Sequence, residues 1–505
     1  MLRDGENEKM FEKITPEEAG VSSSQVERFL SNMDKFGVTL HGVLMMKGDK
    51  IFCEAYKEPF GEEVPHRMYS ETKSFVSMAI GILWGEGKID LQAPILSYFP
   101  EYAPADPWLA AQTVKDMLCM QTVNGYDNGK WFKDPEPSRT ALYFEKGKSR
   151  HPAGMVWAYD SAGSQVLSAL AEKIAGKSLF AFLKERVFDK LGTFTHAKIL
   201  KTKTEDSWGD SAMICTARDI ASFGRLLMQD GKWNGEQLIP AQYVRTATSP
   251  LVCNDTEGDG NCFRRGYGYQ VWHTYENGFA FVGMGDQLTV CLKDRDILLV
   301  TMADDQHFRT ARDVLIDGFF DRVVWEMSDK PLPKNPKAYE SLLKASKGEL
   351  RFLEGNYSSP AEKGVVGKTY VCRSNPAGMT SFSLHLTKDE NGNNRGGELR
   401  YENAQGKKVL PFGFGRNVFG FFPQFGYSKD HGGLPAGGDF TYRCATSAVF
   451  PDPDKLMIKC QIVDEYLGNV TFLFCFKDEE CLISMHKYAE AFLDEYQGEF
   501  LARQQ

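Results

Sequence analysis

The sequence predicts an α+β protein: an antiparallel sheet flanked by helices, with a helical subdomain, followed by a C-terminal antiparallel β-barrel or sandwich. Three observations lead to this fold class. The chain has 505 residues, which is too many for one ordinary core. Residues 15–325 carry strand patterns at both ends and helical patterns between them. The later residues alternate between short strand-like segments and turn residues.

The first predicted elements are a helix and a hairpin. Residues 22–36 begin with serines that suit a helix N-terminus, and their apolar residues recur at helical spacing. Residues 42–56 predict two strands that meet at a turn signal, Gly48-Asp49. Three further helices are predicted at 71–86, 162–176 and 217–229.

Strand patterns return in residues 267–303, and a helical pattern follows at 308–326. Strands therefore lie at both ends of this region, with the helices between them. We expect one antiparallel sheet that is built from both ends, with the helices forming an insertion beside it.

The chain is predicted to divide into a first domain at 1–327, a linker at 328–345 and a second domain at 346–505. The linker prediction depends on three prolines in residues 328–337, which show no apolar periodicity. The second domain is expected to be mainly antiparallel β, with a terminal helix at 487–502. Its predicted strands are 368–373, 380–387, 398–403, 417–422, 440–449, 455–463, 469–476 and 480–486.

Composition excludes several classes of function. The net charge is −9, which argues against nucleic acid or an anionic membrane as the main partner. No apolar run is long enough for a signal peptide or a membrane span, so a cytoplasmic location is expected. The eleven cysteines and nine histidines are scattered, so we expect no disulfide framework and no metal site.

The strongest local signal is Ser70-Glu71-Thr72-Lys73 at the start of the apolar helix. Residues three apart share one helix face, so the Lys73 amine can reach the Ser70 hydroxyl. A buried lysine with a lowered pKa can then remove the hydroxyl proton and make Ser70 a nucleophile. The tetrapeptide alone favours the alternative, a capped core helix with a solvated lysine, because S-x-x-K occurs by chance in most long proteins.

The wider context gives a resemblance. Residues 67–102, RMYSETKSFVSMAIGILWGEGKIDLQAPILSYFPEY, resemble the nucleophile helix of the serine β-lactamase-like family. That family includes class C β-lactamases, D-alanyl-D-alanine carboxypeptidases, D-aminopeptidases, family VIII esterases and 6-aminohexanoate-oligomer hydrolases. Residues 16–30 and 41–56 are similar to its first helix and strands, and the resemblance extends over about 15–325. It implies a β-lactamase/transpeptidase-like fold and a catalytic role for Ser70 and Lys73.

A second motif of the family, Y-x-N or Y-x-S, is matched by Tyr159-Asp160-Ser161. The resemblance implies that Tyr159 is a second proton-transfer group, and that Ser161 takes a place often held by asparagine on the substrate side. Nearby positive charge would favour the phenolate of Tyr159. The alternative is an ordinary core tyrosine with a bonded hydroxyl.

The third motif is represented by Gly283-Met284-Gly285-Asp286. Glycines at a strand edge allow a substrate to approach the backbone. By resemblance, the main-chain N–H groups of Ser70 and Asp286 would form the oxyanion hole. The alternative is a bulge or turn. The lysine found here in β-lactamases is missing, which argues against β-lactam hydrolysis.

These features together predict a serine hydrolase that acts through an acyl-enzyme on small carboxylic esters, or on amides and peptides with D- or unusual residues. This acyl-transfer chemistry needs no cofactor. Two alternatives stay open. One is a catalytically inactive β-lactamase-like binding or scaffolding protein, and the other is a β-lactamase or D-Ala-D-Ala carboxypeptidase. A small ester or amide is the expected partner, nucleic acid and membrane are not expected, and homo-oligomerisation is left open.

Overall fold

The computed structural model describes residues 11–104, 106–123, 125–126, 131, 134, 136–255, 261–308, 310–431, 440–489 and 493–505. The chain forms two compact units, Met1–Gly348 and Glu349–Gln505.

The helices are α1 Pro16–Ala19, α2 Ser23–Phe36, α3 Thr72–Gly85, α4 Pro107–Ala111, α5 Val114–Leu118, α6 Arg139–Ala141, α7 Ser161–Ala175, α8 Leu179–Leu183, α9 Asp189–Leu191, α10 Ala217–Met228, α11 Ala241–Ala247, α12 Ala311–Phe319, α13 Pro336–Ala345 and α14 Glu362–Val365. The strands of the first unit are β1 Glu12–Lys13, β2 Leu40–Lys47, β3 Lys50–Glu58, β4 His66–Arg67, β5 Lys198–Ile199, β6 Met213–Cys215, β7 Lys232–Trp233, β8 Glu236–Gln237, β9 Trp272–His273, β10 Phe279–Gly283, β11 Gln287–Leu292, β12 Ile297–Ala303 and β13 Lys347–Glu349. The strands of the second unit are β14 Thr369–Cys372, β15 Ser381–Lys388, β16 Asn394–Asn403, β17 Gly406–Phe414, β18 Val418–Phe421, β19 Arg443–Asp452, β20 Lys455–Val463, β21 Leu467–Lys477, β22 Glu480–Tyr488 and β23 Gly498–Gln504.

The main sheet of the first unit has the strand order β1-β3-β2-β12-β11-β10-β9, and β13 also pairs with β3. Within this order, every neighbouring pair between β3 and β9 is antiparallel, whereas the edge strand β1 runs parallel to β3. The β2–β12 pairing, with Leu44 opposite Val300, joins the two ends of the region. The predicted sheet built from both ends is confirmed, with a parallel edge strand added.

Successive side chains of a strand point to opposite faces of the sheet, and both faces of this sheet are buried. Leu44 and Val300 pack into the cluster that contains α3, α7 and α10, while Val43 and Leu299 pack into the cluster that contains α2 and α12. Twelve of the fourteen residues of α3 are buried, so this helix lies at the centre of the unit. The elements that carry the site residues therefore stand on a rigid core.

The segment predicted as a linker belongs to the first unit. Residues 336–345 form α13, which begins with Pro336 after the N-cap Asn335. Leu342 of this helix is buried in the cluster around α2, and Ser341 donates a hydrogen bond to Glu27 of α2 at 2.8 Å. Proline at the first position of a helix is compatible with regular structure, so proline content alone does not mark a free linker.

The second unit is a closed barrel of nine strands. Neighbouring strands follow the order β17-β16-β15-β14-β23-β22-β21-β20-β19, and β17 pairs with β19 to close the ring. The strand β18 pairs with β19 outside this ring. Of the two predicted forms, barrel and sandwich, the barrel is therefore present.

The predicted terminal helix at 487–502 is wrong. Residues up to Tyr488 belong to β22, a single 3-10 turn spans Asp494–Tyr496, and Gly498–Gln504 form β23. Residues 490–492 lie outside the described part of the chain. The strand β23 pairs with both β22 and β14 and buries Phe500 and Ala502. Without β23, the edges of β14 and β22 would be unpaired and the barrel would be open. Pairing with both edges stabilises the strand conformation of residues 498–504 more than helix propensity opposes it.

Candidate active site

Ser70 lies in a 3-10 turn, Tyr69–Glu71, that leads directly into α3. Tyr69 has a φ of 47°, a conformation that costs energy for a residue with a side chain and is found preferentially at functional sites. The main-chain N–H of Met68 donates to Met213 at 2.9 Å, and a Cβ at Gly283 would lie 2.3 Å from the Met68 carbonyl oxygen. The turn is thus held closely between β6 and β10, while Ser70 remains partly exposed.

Lys73 lies one turn along α3 from Ser70. Its Nζ is 2.8 Å from the Ser70 Oγ and donates to the main-chain carbonyl of Asp210 at 2.6 Å. The side chain is 1% exposed. The alternative of a solvated lysine does not describe this residue, because its amine is buried and directed at the serine hydroxyl.

Tyr159 lies beside this pair. The Lys73 Nζ is 5.0 Å from the centroid of its ring, and the ring stacks on Trp272 with a centroid distance of 5.8 Å and an interplanar angle of 22°. Tyr159 is 37% exposed, unlike a core tyrosine. The structure therefore brings Tyr159 next to Ser70 and Lys73, although Tyr159 is more than 80 residues away from them in the sequence.

The residue after Tyr159, Asp160, is the N-cap of α7. Its carboxylate accepts from the Gly163 N–H at 2.9 Å and from the Thr122 hydroxyl at 2.7 Å. Burial raises the pKa of Asp160, and the hydrogen bonds and the charge of Lys73 oppose this rise. Ser161 is the first residue of α7 and is partly exposed, with no hydrogen bond to Ser70 or Lys73 among the described residues. The capped helix start holds the motif in place.

The third motif forms the tight loop between β10 and β11. Gly285 and Asp286 have φ values of 75° and 69°, which suits glycine at the first of these positions. The Asp286 carboxylate pairs with Arg312 at 2.8 Å, and Arg312 also donates to the Gly283 carbonyl at 3.2 Å. The side chain of Asp286 is thus engaged with Arg312.

Two features of the site escaped sequence reasoning. Asp210 supplies a carbonyl to Lys73, although no local pattern connects it to residue 73. Glu71, inside the S-x-x-K motif, is buried, and neither of its carboxyl oxygens has a hydrogen-bond partner among the described residues. Burial raises the pKa of Glu71 well above its usual range, partly opposed by the Thr289 hydroxyl nearby. Burial therefore favours the neutral form of the carboxyl next to Ser70.

Two further properties concern the described residues as a whole. In that part of the chain, no cluster of three or more His, Cys, Asp or Glu side chains is arranged to hold a metal ion. No helix within it combines the length and the hydrophobicity that are needed to cross a bilayer.

Comparison with known proteins identifies the family. Residues 36–317, more than half of the 505, match the family model described as Beta-lactamase, and the chain belongs to this family. A 6-aminohexanoate-dimer hydrolase of Paenarthrobacter ureafaciens is 25% identical over 251 residues, which cover 46% of this chain and 63% of that protein. An uncharacterized protein of Alkalihalophilus pseudofirmus is 22% identical over 206 residues, 37% of this chain and 55% of that protein.

The chain thus spans less than two thirds of the length of these curated relatives. A solved structure of a candidate β-lactamase from Bacteroides dorei DSM 17855 has a TM-score of 0.51 at 13% identity, and covers 59% of this chain and 98% of that one. At this level of identity the likeness concerns the fold alone.

Proposed function

We propose that this protein is a serine hydrolase that acts through an acyl-enzyme on small carboxylic esters or on amides, including peptides with D- or unusual residues. The observation that carries the proposal is the 2.8 Å contact between the Lys73 Nζ and the Ser70 Oγ, made by a lysine that is 1% exposed. A buried amine in direct contact with a partly exposed hydroxyl is the arrangement that activates a serine nucleophile. The relative from Paenarthrobacter ureafaciens, a 6-aminohexanoate-dimer hydrolase, is consistent with an amide substrate.

In the proposed acylation step, the Lys73 amine acts as the general base and accepts the Ser70 proton while the Ser70 Oγ attacks the substrate carbonyl carbon. The contact of 2.8 Å between the Lys73 Nζ and the Ser70 Oγ is within the hydrogen-bond reach that a general base requires. The oxyanion that forms would be stabilised by the main-chain N–H groups of Ser70 and Asp286.

In the next step the tetrahedral intermediate expels its alcohol or amine. The proposed donor of the proton to this leaving group is Tyr159, whose ring lies beside the Lys73 amine. An ester between Ser70 and the acyl group remains. Tyr159 regains a proton from Lys73. Water then attacks this ester and gives up one proton to Lys73, and that proton passes to the Ser70 Oγ as the carboxylic acid is released.

The charge near the third motif favours esters and amides over β-lactams. Residues 283–287 contain no lysine. The cation at this loop is Arg312, and its charge is balanced by the Asp286 carboxylate at 2.8 Å. By resemblance, β-lactams and D-Ala peptides need a cation at this position to bind their carboxylate. The paired charge of Arg312 therefore supports esters and amides better than these substrates.

The test is a pre-steady-state burst with p-nitrophenyl butyrate. The wild type should release one equivalent of p-nitrophenol per protein molecule before the slower steady state, and Ser70→Ala should show no burst. Ser74→Ala is the matched control, because Ser74 lies on α3 just after the turn that carries Ser70, is buried, and donates to the Gln270 carbonyl at 2.9 Å.

A burst that persists in Ser70→Ala would refute the nucleophile assignment, and a wild type with no burst on any substrate would favour the inactive alternative. The substrate panel should contain esters, D-amino amides, 6-aminohexanoate dimers and cephalosporins. A covalent fluorophosphonate adduct on the Ser70 peptide, detected by mass spectrometry, provides an independent readout.

A further inference from the structure

The direction of the Lys73 amine depends on the main-chain carbonyl of Asp210. Lysine has a flexible four-carbon stem that allows many orientations of its amine. In this site the amine contacts Ser70 at 2.8 Å and donates to the Asp210 carbonyl at 2.6 Å. A displacement of that carbonyl would therefore redirect the amine away from Ser70.

The side chain of Asp210 is held by a buried ion pair with Arg139, and both side chains are 3% exposed. The Arg139 guanidinium also lies over the ring of Trp131, 4.4 Å from its centroid. Arg139 belongs to α6, so this helix anchors the residue that supplies the carbonyl to Lys73.

Gln165 of α7 links Arg139 to the same segment. Its Oε1 accepts from the Gly209 N–H at 3.0 Å and from Arg139 at 3.4 Å, and its Nε2 donates to the Ser207 carbonyl at 2.8 Å. Gln165 is fully buried. Residues 207–210 are thus tied to α6 and α7 by a connected set of buried hydrogen bonds.

The other side of the segment is held by a second buried guanidinium. Arg67 donates to the carbonyl of Ser211 at 3.1 Å and to its hydroxyl at 3.3 Å. Gly209 lies so close to α7 that a Cβ there would be 2.1 Å from the Ser168 hydroxyl oxygen. Contacts on both sides therefore determine where the Asp210 carbonyl lies.

We propose that Arg139 and Asp210 are a positioning pair for Lys73: by holding residue 210, they aim the Lys73 amine at Ser70. The inference rests on the proposed function, since it assigns a role in the same acylation step. A buried ion pair is a poor stabilising device, because the cost of desolvating both charges often exceeds their attraction. What the pair provides is a defined position for one carbonyl oxygen in contact with the proposed base.

The experiment measures the acylation rate constant with p-nitrophenyl butyrate, at a temperature well below the melting transition of every variant. Arg139→Gln should lower this rate constant about 10- to 100-fold, because a displacement of about 1 Å at reacting groups can cost about 100-fold. KM should change less than threefold, and Arg139→Lys should recover part of the rate by keeping the charge opposite Asp210.

A double-mutant cycle with Lys73 separates positioning from general destabilisation. In a Lys73→Ala background, Arg139→Gln should lower the residual rate by less than twofold, because the pair acts through an amine that is then absent. If Arg139→Gln alone does not fold, Arg139→Gln/Asp210→Asn replaces it, since this double variant leaves no buried charge uncompensated.

Arg225→Gln is the matched control. Arg225 is also a buried arginine, but it pairs with Asp49, in the turn between β2 and β3, and with Asp296, in the turn between β11 and β12. It should lose stability while keeping the acylation rate of the folded protein. Equal rates for Arg139→Gln and the wild type, or a fall in the Lys73→Ala background as large as in the wild type, would overturn the proposal.

Failure of the proposed function has a different signature, namely a burst that survives Ser70→Ala. Loss of the burst in Ser70→Ala together with an unchanged rate in Arg139→Gln would retain the nucleophile and remove the positioning role.

Discussion

Replacing Gly283 with alanine tests whether the loop at the end of β10 holds the nucleophile turn in place. A Cβ at residue 283 would lie 2.3 Å from the main-chain oxygen of Met68 and 2.9 Å from the Gln287 Cβ. The Met68 carbonyl or the strand must move by at least about 0.7 Å to restore a separation of 3.0 Å, the least that real Cβ atoms show. Met68 lies two residues before Ser70, so the displacement reaches the proposed nucleophile.

Two magnitudes follow from this displacement. Overpacking of a buried contact typically costs about 1–3 kcal/mol of unfolding free energy. Misplacement of reacting groups by about 1 Å costs about 100-fold in rate. We therefore expect Gly283→Ala to lower kcat for p-nitrophenyl butyrate by about 10- to 100-fold, while the protein still folds.

The assay combines urea unfolding with steady-state and burst kinetics. Gly61→Ala in the same unit is the control, because a Cβ there meets its nearest neighbour, a Val64 methyl group, at 3.9 Å. Gly283→Ala with wild-type kcat and wild-type stability would refute the reasoning, since it would mean that β10 does not hold the turn of Ser70.

Two further predictions concern Tyr159 and Glu71. Tyr159→Phe keeps the stacking on Trp272 and removes the phenol, so kcat should fall by about 10²- to 10⁴-fold with little change in melting temperature; an unchanged kcat would make Tyr159 structural. Burial raises the pKa of the Glu71 carboxyl in the folded protein well above its ordinary value of about 4.5, so unfolding releases a proton above that pH and the stability of the wild type should fall as pH rises. Glu71→Gln removes this loss, because glutamine does not titrate. In urea unfolding, the two proteins should have similar unfolding free energies at pH 4. At higher pH the variant should be more stable than the wild type, by up to about 1.4 kcal/mol for each pH unit. A constant difference between pH 4 and 9 would show that Glu71 is ionised in the folded protein.

The elements that sequence reasoning predicted well are those whose pattern is local and strong. The helix at 71–86 is α3, Thr72–Gly85, and the strand at 455–463 is β20 with the same bounds. Long-range pairing explains the main failure. Residues 498–504 contain good helix formers, but their place between β22 and β14 makes them a strand. The strand β17 was not predicted, because glycines and Pro411 interrupt its pattern.

The residues of the candidate site also fall into two groups, those that a local pattern predicts and those that depend on long-range packing. The spacing of Ser70 and Lys73 already placed both side chains on one helix face, and the 2.8 Å contact follows from that local geometry. Motif resemblance suggested Tyr159, whose ring lies 5.0 Å from the Lys73 amine because α3 and the start of α7 pack together. The sequence by itself determined which residue types can do chemistry and which of them share a helix. Only the tertiary structure decided that Asp210 supplies the carbonyl to Lys73 and that the Glu71 carboxyl is buried, because burial and contacts between distant segments depend on how the whole chain packs.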